Sequence, residues 1–331
     1  MVAILLTHAD AARRLYYGPR ALAGLQAQGT VSTNSLERPL DVDELVHAAR
    51  DATVIVSDRQ TPGPSQLFDR LPQLVAFVRV AVDIRNVDVE AASRNGILVT
   101  RASPGFGPAV AEWIVGAMIA LGRHIVDYAG AYRLGNVPSS TMGREIRGST
   151  IGVIGFGTIG RRLCALLAPF EARVLVHDPY ATPNDPGVTA VDLDTVFSES
   201  DFVVPLAVAT PETENLIGPA ALGRMKRTAY LVNASRGNLV DEAALGAALA
   251  EGRIAGAAMD VGRAADQMPT PALAARADVI ATPHIGGLTP DAIAHQAMET
   301  VRQVESILQG IAPPGAVNPD RASRLARLAA R

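Results

Sequence analysis

The chain has 331 residues, 48% hydrophobic and 19% charged, enough apolar material for about two cored domains. Lys and Arg number 30 against 33 Asp and Glu, a formal charge of -3 that argues against nucleic-acid or membrane-surface partners. The lone Cys164 excludes an intramolecular disulfide and a multi-cysteine metal site, so no metal is expected and a reducing, cytoplasmic setting is. The apolar run at 2–6 is too short, and lacks the basic lead, for a signal peptide, and no stretch approaches the ~20 apolar residues of a membrane span. Lys226 is the only lysine, so a Schiff-base mechanism would fall to it or to the terminal amine.

Taken in chain order, apolar runs at 2–6, 52–56, 74–78 and 97–99 alternate with helical patterns at 11–26, 64–70 and 87–95, which predicts βαβ units around a parallel sheet. A long amphipathic stretch from 108 to about 134 follows the Pro104 and Gly105 punctuation and reads as a connecting helix. After Gly148 a second series begins, with apolar runs at 150–154, 173–177, 202–206, 230–233, 255–260 and 279–281 and helices at 158–168, 193–198 and 242–251. A final helix, 290 to about 309, is assigned to the first series, which lacks a closing helix. The expected fold is α/β, with two doubly wound parallel-sheet domains and the second inserted into a discontinuous first. In the tail, Arg321, Arg324, Arg327 and Arg331 recur at roughly helical spacing, which reads as a solvated helix or frayed end.

Gly155, Gly157 and Gly160 have G-x-G-x-x-G spacing directly after an apolar strand and at the opening of a helix. The next strand ends at Asp178, about twenty residues on, where an acid would receive a ribose. Gly155 permits the tight turn, Gly157 lets backbone approach a pyrophosphate, and Gly160 lets helix and strand pack closely. The Thr158 and Ile159 amides then face the diphosphate. Asp178 would repel a 2′-phosphate, and no arginine stands at 179–182 to receive one, so NAD is expected rather than NADP. Cys164 falls on the apolar face of the following helix, as a core residue.

Two later strand ends carry polar groups where open α/β sheets place ligands: 231–237, with Arg236, and 281–287, with His284. Hydride transfer to a 2-keto acid calls for such a pair. Arg236 would grip the carboxylate and polarise the keto oxygen, and His284 as imidazolium would protonate the alkoxide. Each residue alone also fits a surface arginine or a turn-capping histidine.

These motifs, together with 87–100, Pro104 and Gly105, Val110 to Glu112, Thr210 to Thr213 and Met259 to Val261, resemble the D-isomer-specific 2-hydroxyacid dehydrogenases from about Leu74 to Ile307. The resemblance implies a split, flavodoxin-like substrate domain at 1–101 and 288–318, a Rossmann NAD-binding domain inserted at 102–287, a tail at 319–331, and a homodimer. It makes Arg236 the substrate-binding arginine, His284 the acid/base and Asp260 the carboxylate that holds the nicotinamide carboxamide. It places Ala234, Ser235, Gly286 and Gly287 on the cofactor and Val80 and Ala81 on the substrate.

The chain departs from that family at Ala265, where an acidic partner of the histidine is usual. That carboxylate would favour the charged imidazole. Asp266 takes the role if the loop shifts by one residue, and otherwise stands as a solvated loop acid. Leu206 and Val208 replace the usual His and Pro, and Ala81 replaces a usual Gly. Arg79 and Arg85 either add a site for a second anionic group or face solvent. The leading expectation is an NAD-dependent D-2-hydroxyacid dehydrogenase. The alternative is an NAD(H)-binding sensor or interaction protein whose catalysis has decayed.

Overall fold

Segments of three to five residues, most of them apolar, fall into register as two parallel sheets. The computed structural model describes residues 2–329, the side chain of Asp266 excepted. The first sheet is built from β1 (Ala3–Leu6), β2 (Thr30–Thr33), β3 (Val54–Ser57), β4 (Ala76–Arg79) and β5 (Leu98–Arg101), in the order β2-β1-β3-β4-β5. The second contains β6 (Thr150–Ile154), β7 (Arg173–His177), β8 (Val188–Ala190), β9 (Phe202–Pro205), β10 (Tyr230–Asn233), β11 (Gly256–Met259) and β12 (Val279–Ala281), in the order β12-β11-β10-β9-β6-β7-β8. Both orders are doubly wound, and the second reverses direction between β6 and β9, the place where such sheets bind nucleotides. β3, β4, β6, β9, β10 and β11 are buried along their whole length, which is why they read as continuous apolar runs and not as alternations.

The chain divides into two compact units, one running to Gly105 and resuming at Pro290, the other spanning Phe106–Thr289. Helix Pro290–Leu308 lays Ala297, Val301, Val304 and Ile307 against β1, β3 and β4 in the first unit. The connecting helix expected from 108 to 134 is two helices, Gly107–Gly122 and Ile125–Arg133, bent by 69°. The break is local: His124 takes a left-handed φ of 53°, and the Gly122 carbonyl turns to accept Arg144 N–H. Among the described residues no single helix is long and apolar enough to cross a membrane. Ile114 and Met118 of the first helix lie in the second unit's core with Cys164, whose thiol burial, with Asp185 nearby, pushes up to about 12.

The tail corrects the expectation of a solvated or frayed end. Ala322, Leu325 and Leu328 are buried in the first unit's core, interleaved with Arg321, Arg324 and Arg327, while Arg331 lies outside the described residues. Arg324 donates to the carbonyls of Leu71 and Leu74, Arg327 to that of Pro72, and Arg321 pairs with Glu90. An arginine spacing of three was read as a polar face, but the same period carries the leucines inward.

Candidate active site

The loop after β6 gives each glycine a separate reason. Gly155 has φ of 108°, and a Cβ there would lie 2.7 Å from the Ala207 amide nitrogen across the switch point. A Cβ on Gly160 would meet the Gly155 carbonyl oxygen at 2.3 Å, so the helix starting at Thr158 packs directly on the loop. Gly157 differs: its Cβ would meet nothing within 4 Å. That open space lies at the N-terminus of the Thr158–Leu167 helix, where the first amides, Thr158 and Ile159 among them, have no intrahelical acceptor. A diphosphate fits this cradle, and the backbone dipole favours its charge.

Asp178 ties β7 to the same loop. One carboxylate oxygen accepts Phe156 N–H at 2.6 Å, and the other accepts Tyr180 and Ala181 N–H at 2.8 and 3.0 Å. Burial raises its pKa, and the backbone donors outweigh burial to hold it below the usual carboxylate range. Of the about four acceptor sites on a carboxylate, roughly one is left for a ribose hydroxyl.

Past β10, buried Asn233 folds the next turn: its Nδ2 donates to the Arg236 carbonyl at 3.0 Å and its Oδ1 accepts Ser235 N–H at 3.0 Å. Ser235 Oγ donates to Ala207 O, Ala234 is buried, and Arg236 Nη1 donates to Ser235 O at 2.8 Å. Sequence reading gave Asn233 no role, although an Asn three residues before the arginine at a strand end is an Asx-turn signal.

The ladder continues across the strand ends. Asp260 N–H donates to Asn233 O at 2.9 Å, and His284 N–H to Asp260 O at 3.0 Å. The Asp260 side chain, 2% exposed, accepts Thr282 Oγ1–H at 2.6 Å and the N–H groups of Ile285 and Gly286 at 2.8 Å each. Asp260 was expected to hold a carboxamide, but most of its acceptor capacity folds the 282–286 turn. Gly286 belongs there because a Cβ would lie 2.9 Å from Asp260 Oδ2. Within this turn half-buried His284 has φ of 57°, a left-handed strain of the kind that persists where surrounding bonds over-determine it. Gly287 follows, packed on Phe106.

The loop from Gly262 to Thr270 is closed by Gly262 N–H to Gln267 O at 2.7 Å and Ala264 N–H to Met268 O at 2.9 Å. Glu242 holds both ends, accepting Arg263 N–H and Thr270 Oγ1–H. Ala265 and Asp266 sit in its single 3₁₀ turn, Ala265–Gln267. The Asp266 side chain lies outside the described residues.

In the first unit the loop after β4 departs from expectation. Val80 N–H donates to Ser57 O at 2.9 Å, extending the ladder, so this amide is committed to the sheet and Ala81, half-buried, is the first that an anion could use. Arg79 is fully buried, donating to the carbonyls of Asp58 and Thr61 and to Asn86 Oδ1. Arg85 grips both oxygens of Asp83. A second-anion site on these two arginines is therefore not built: one is a strut between loops, the other is locally neutralised.

The family described as "D-isomer specific 2-hydroxyacid dehydrogenase, NAD binding domain" matches residues 115–286. A glyoxylate reductase of Thermofilum pendens is 33% identical over 295 residues, covering 86% of this chain and 87% of that protein. A D-3-phosphoglycerate dehydrogenase of Synechocystis is 32% identical over 299 residues, 89% of this chain but 54% of that protein, so the chain spans about half the length of that relative. Among solved structures, D-lactate dehydrogenase from Escherichia coli superposes with a TM-score of 0.83 at 26% identity, over 96% of this chain and 100% of that one.

Proposed function

The chain belongs to the D-isomer-specific 2-hydroxyacid dehydrogenase family, and from that premise we propose that it interconverts a small 2-keto acid and its D-2-hydroxy acid with NAD(H). The observation that carries this reading is the backbone ladder from Asn233 through Asp260 to His284. It runs across the ends of β10, β11 and β12, so Arg236 and His284 follow the two strands that flank β11 in the sheet whose switch point bears the glycine loop, which supports the pairing of a guanidinium with an imidazole. The cofactor, when bound, supplies or accepts the hydride at nicotinamide C4.

The chain's own residues do the rest. The Gly157 cradle with the Thr158 and Ile159 amides holds the diphosphate, and Asp178 takes a ribose hydroxyl and disfavours a 2′-phosphate. Ala234, Ser235, Gly286 and Gly287 line the nicotinamide side, where Asp260 keeps the turn folded and offers its remaining acceptor to the carboxamide. Arg236 binds the substrate carboxylate through paired N–H donors and polarises the keto oxygen. His284, protonated, gives its proton to the developing alkoxide and takes it back in the reverse direction. Asp266 stands in for the family's acid at Ala265 and favours the charged imidazole. The first unit is the substrate domain.

NADH oxidation with a panel of 2-keto acids (glyoxylate, hydroxypyruvate, pyruvate, phenylpyruvate, 3-phosphohydroxypyruvate) tests this in wild type, Asp266→Ala and His284→Ala. Turnover that His284→Ala abolishes and Asp266→Ala moves to lower pH supports the roles given. Tight NADH binding without turnover on any acid would overturn the enzyme in favour of a sensor; the three similar proteins named above are dehydrogenases or reductases, which supports the enzyme.

We also propose a homodimer and a cytoplasmic setting. Ile125, Val126, Tyr132, Leu134, Val137 and Met142 are all exposed between residues 125 and 142 of the second unit, an apolar patch of the sort that marks interfaces. Sedimentation of wild type as a dimer and of Leu134→Arg with Val137→Arg as a monomer would support a second copy as its cover. A wild-type monomer would exclude it.

A further inference from the structure

We infer that Arg263, through its guanidinium, is a positioning residue for the chemistry proposed above, tying the 262–270 loop to the turn that carries Arg236; this rests on that reading of Arg236. Arg263 Nη1 donates to Glu214 Oε1 at 2.6 Å, and Nη2 donates to Asn215 Oδ1 at 2.6 Å and to Asn238 O at 2.9 Å. Nε and Nη2 also reach Val240 O, at 3.3 and 3.2 Å. Asn238 and Val240 belong to the segment immediately after Arg236, and Asn238 Nδ2 donates to the second oxygen of Glu214 at 3.0 Å. Glu214 therefore bridges the two segments, with Arg263 on one oxygen and the post-Arg236 turn on the other.

The backbones meet at the same place. A Cβ on Gly237 would lie 2.1 Å from Gly262 O, so the residue after Arg236 is pressed against the residue before Arg263. The loop also contains Gln267 with φ of 58°, a left-handed conformation uncommon outside glycine. The loop's internal closure is by Gly262 N–H to Gln267 O and Ala264 N–H to Met268 O, and Arg263 adds through its side chain the bonds that leave the loop for the neighbouring turns. Its side chain is 32% exposed and that of Glu214 39%, so the ion pair itself is screened. What the guanidinium adds is a planar fork meeting acceptors from two segments, 214–215 and 238–240, at fixed angles, which a lysine cannot reproduce.

The test compares wild type, Arg263→Met, Arg263→Lys and Glu214→Gln by keto-acid kcat and KM across pH, NADH affinity, and hydrogen exchange of residues 262–270. Arg263→Met is expected to lower kcat/KM about 10- to 100-fold with a shifted pH profile, while NADH affinity stays at the wild-type level, because a small displacement of Arg236 or of the acid/base side penalises only the keto-acid step. Arg263→Lys should recover only part of the loss, and Glu214→Gln should show a smaller loss in the same direction. Wild-type kcat/KM and pH profile in Arg263→Met overturn the inference. If Arg263→Met does not fold, Glu214→Gln decides in the same way. If wild type itself turns over no 2-keto acid, the dehydrogenase reading has failed separately, and exchange still decides the tie: faster exchange of 262–270 in Arg263→Met supports it, equal exchange overturns it.

Discussion

The backbone N–H of His284 donates to the carbonyl of Asp260 at 3.0 Å, while the carboxylate of the same aspartate accepts the two N–H groups that follow the histidine. One buried acid thus folds the turn on both sides of the candidate acid/base. Asp260→Asn conserves volume but replaces one acceptor oxygen by an N–H₂ group that faces donors in either orientation. A loss of about 2–3 kcal/mol is expected, seen as a fall in kcat/KM of about 30- to 150-fold and a lower unfolding midpoint. Unchanged kinetics would mean that the turn holds itself.

Gly157→Ala and Gly160→Ala add the same methyl group three residues apart and should separate binding from folding. At Gly160 the methyl meets backbone, which cannot move aside, so an overpacking cost of about 1–3 kcal/mol lowers Tm and NADH binding falls with it. At Gly157 the methyl enters open space. Tm should stay at the wild-type value while the NADH Kd rises, which thermal unfolding and fluorescence titration would read. Equal NADH affinity in Gly157→Ala would remove the diphosphate from this cradle.

His8, at the end of β1, is 1% exposed and packs on Tyr17 at a ring separation of 5.2 Å. Burial, against the attraction of Asp58 and with Arg13 and Arg79 adding to it, lowers its pKa from 6.5 to about 4. The native state keeps His8 neutral where the unfolded chain takes up a proton, so stability is full above pH 6.5 and falls as pH drops toward 4. The loss amounts to about 3 kcal/mol at most. Urea unfolding over that window should show a slope in wild type that His8→Gln flattens, and parallel slopes would count against a buried neutral histidine.

Leu325→Ala and Leu328→Ala should each destabilise the first unit by about 2–4 kcal/mol, because both side chains are buried with β1, β4 and helix Pro290–Leu308. NADH affinity, a property of the second unit, should be unchanged. Tail substitutions without effect on Tm would restore the frayed end.

Legibility followed burial. The apolar runs that became β3, β4, β6, β9, β10 and β11 were visible because both faces of these strands are covered, and the glycine loop was visible because its spacing is dictated by contacts as close as Gly160 to Gly155. β2, Thr-Val-Ser-Thr at the sheet edge and mostly exposed, and β8, three residues at the other sheet's edge, left no apolar signal. Arg236 and His284 were legible as strand-end polar residues. Thr282 and Arg263 were not, since their roles depend on partners distant in sequence, Asp260 for Thr282 and Glu214 for Arg263, whereas Asn233 carries a local Asx-turn signal toward Ser235 and Arg236 that went unused. Arg79 was misread for the same reason: nothing in its neighbours signals that Asp58, Thr61 and Asn86 enclose it.

The return of the chain at Pro290 sets an order of events on the ribosome. Residues 106–289 form one uninterrupted unit and can complete their sheet as soon as β12 emerges. The first unit, although begun earlier, lacks the helix that covers β1, β3 and β4, and lacks Leu325 and Leu328, until the whole insert has been made. The usual N-terminal-first sequence is thereby inverted, and the apolar side of the early sheet stays uncovered throughout synthesis of the insert, the interval in which a nascent-chain chaperone has most to shield.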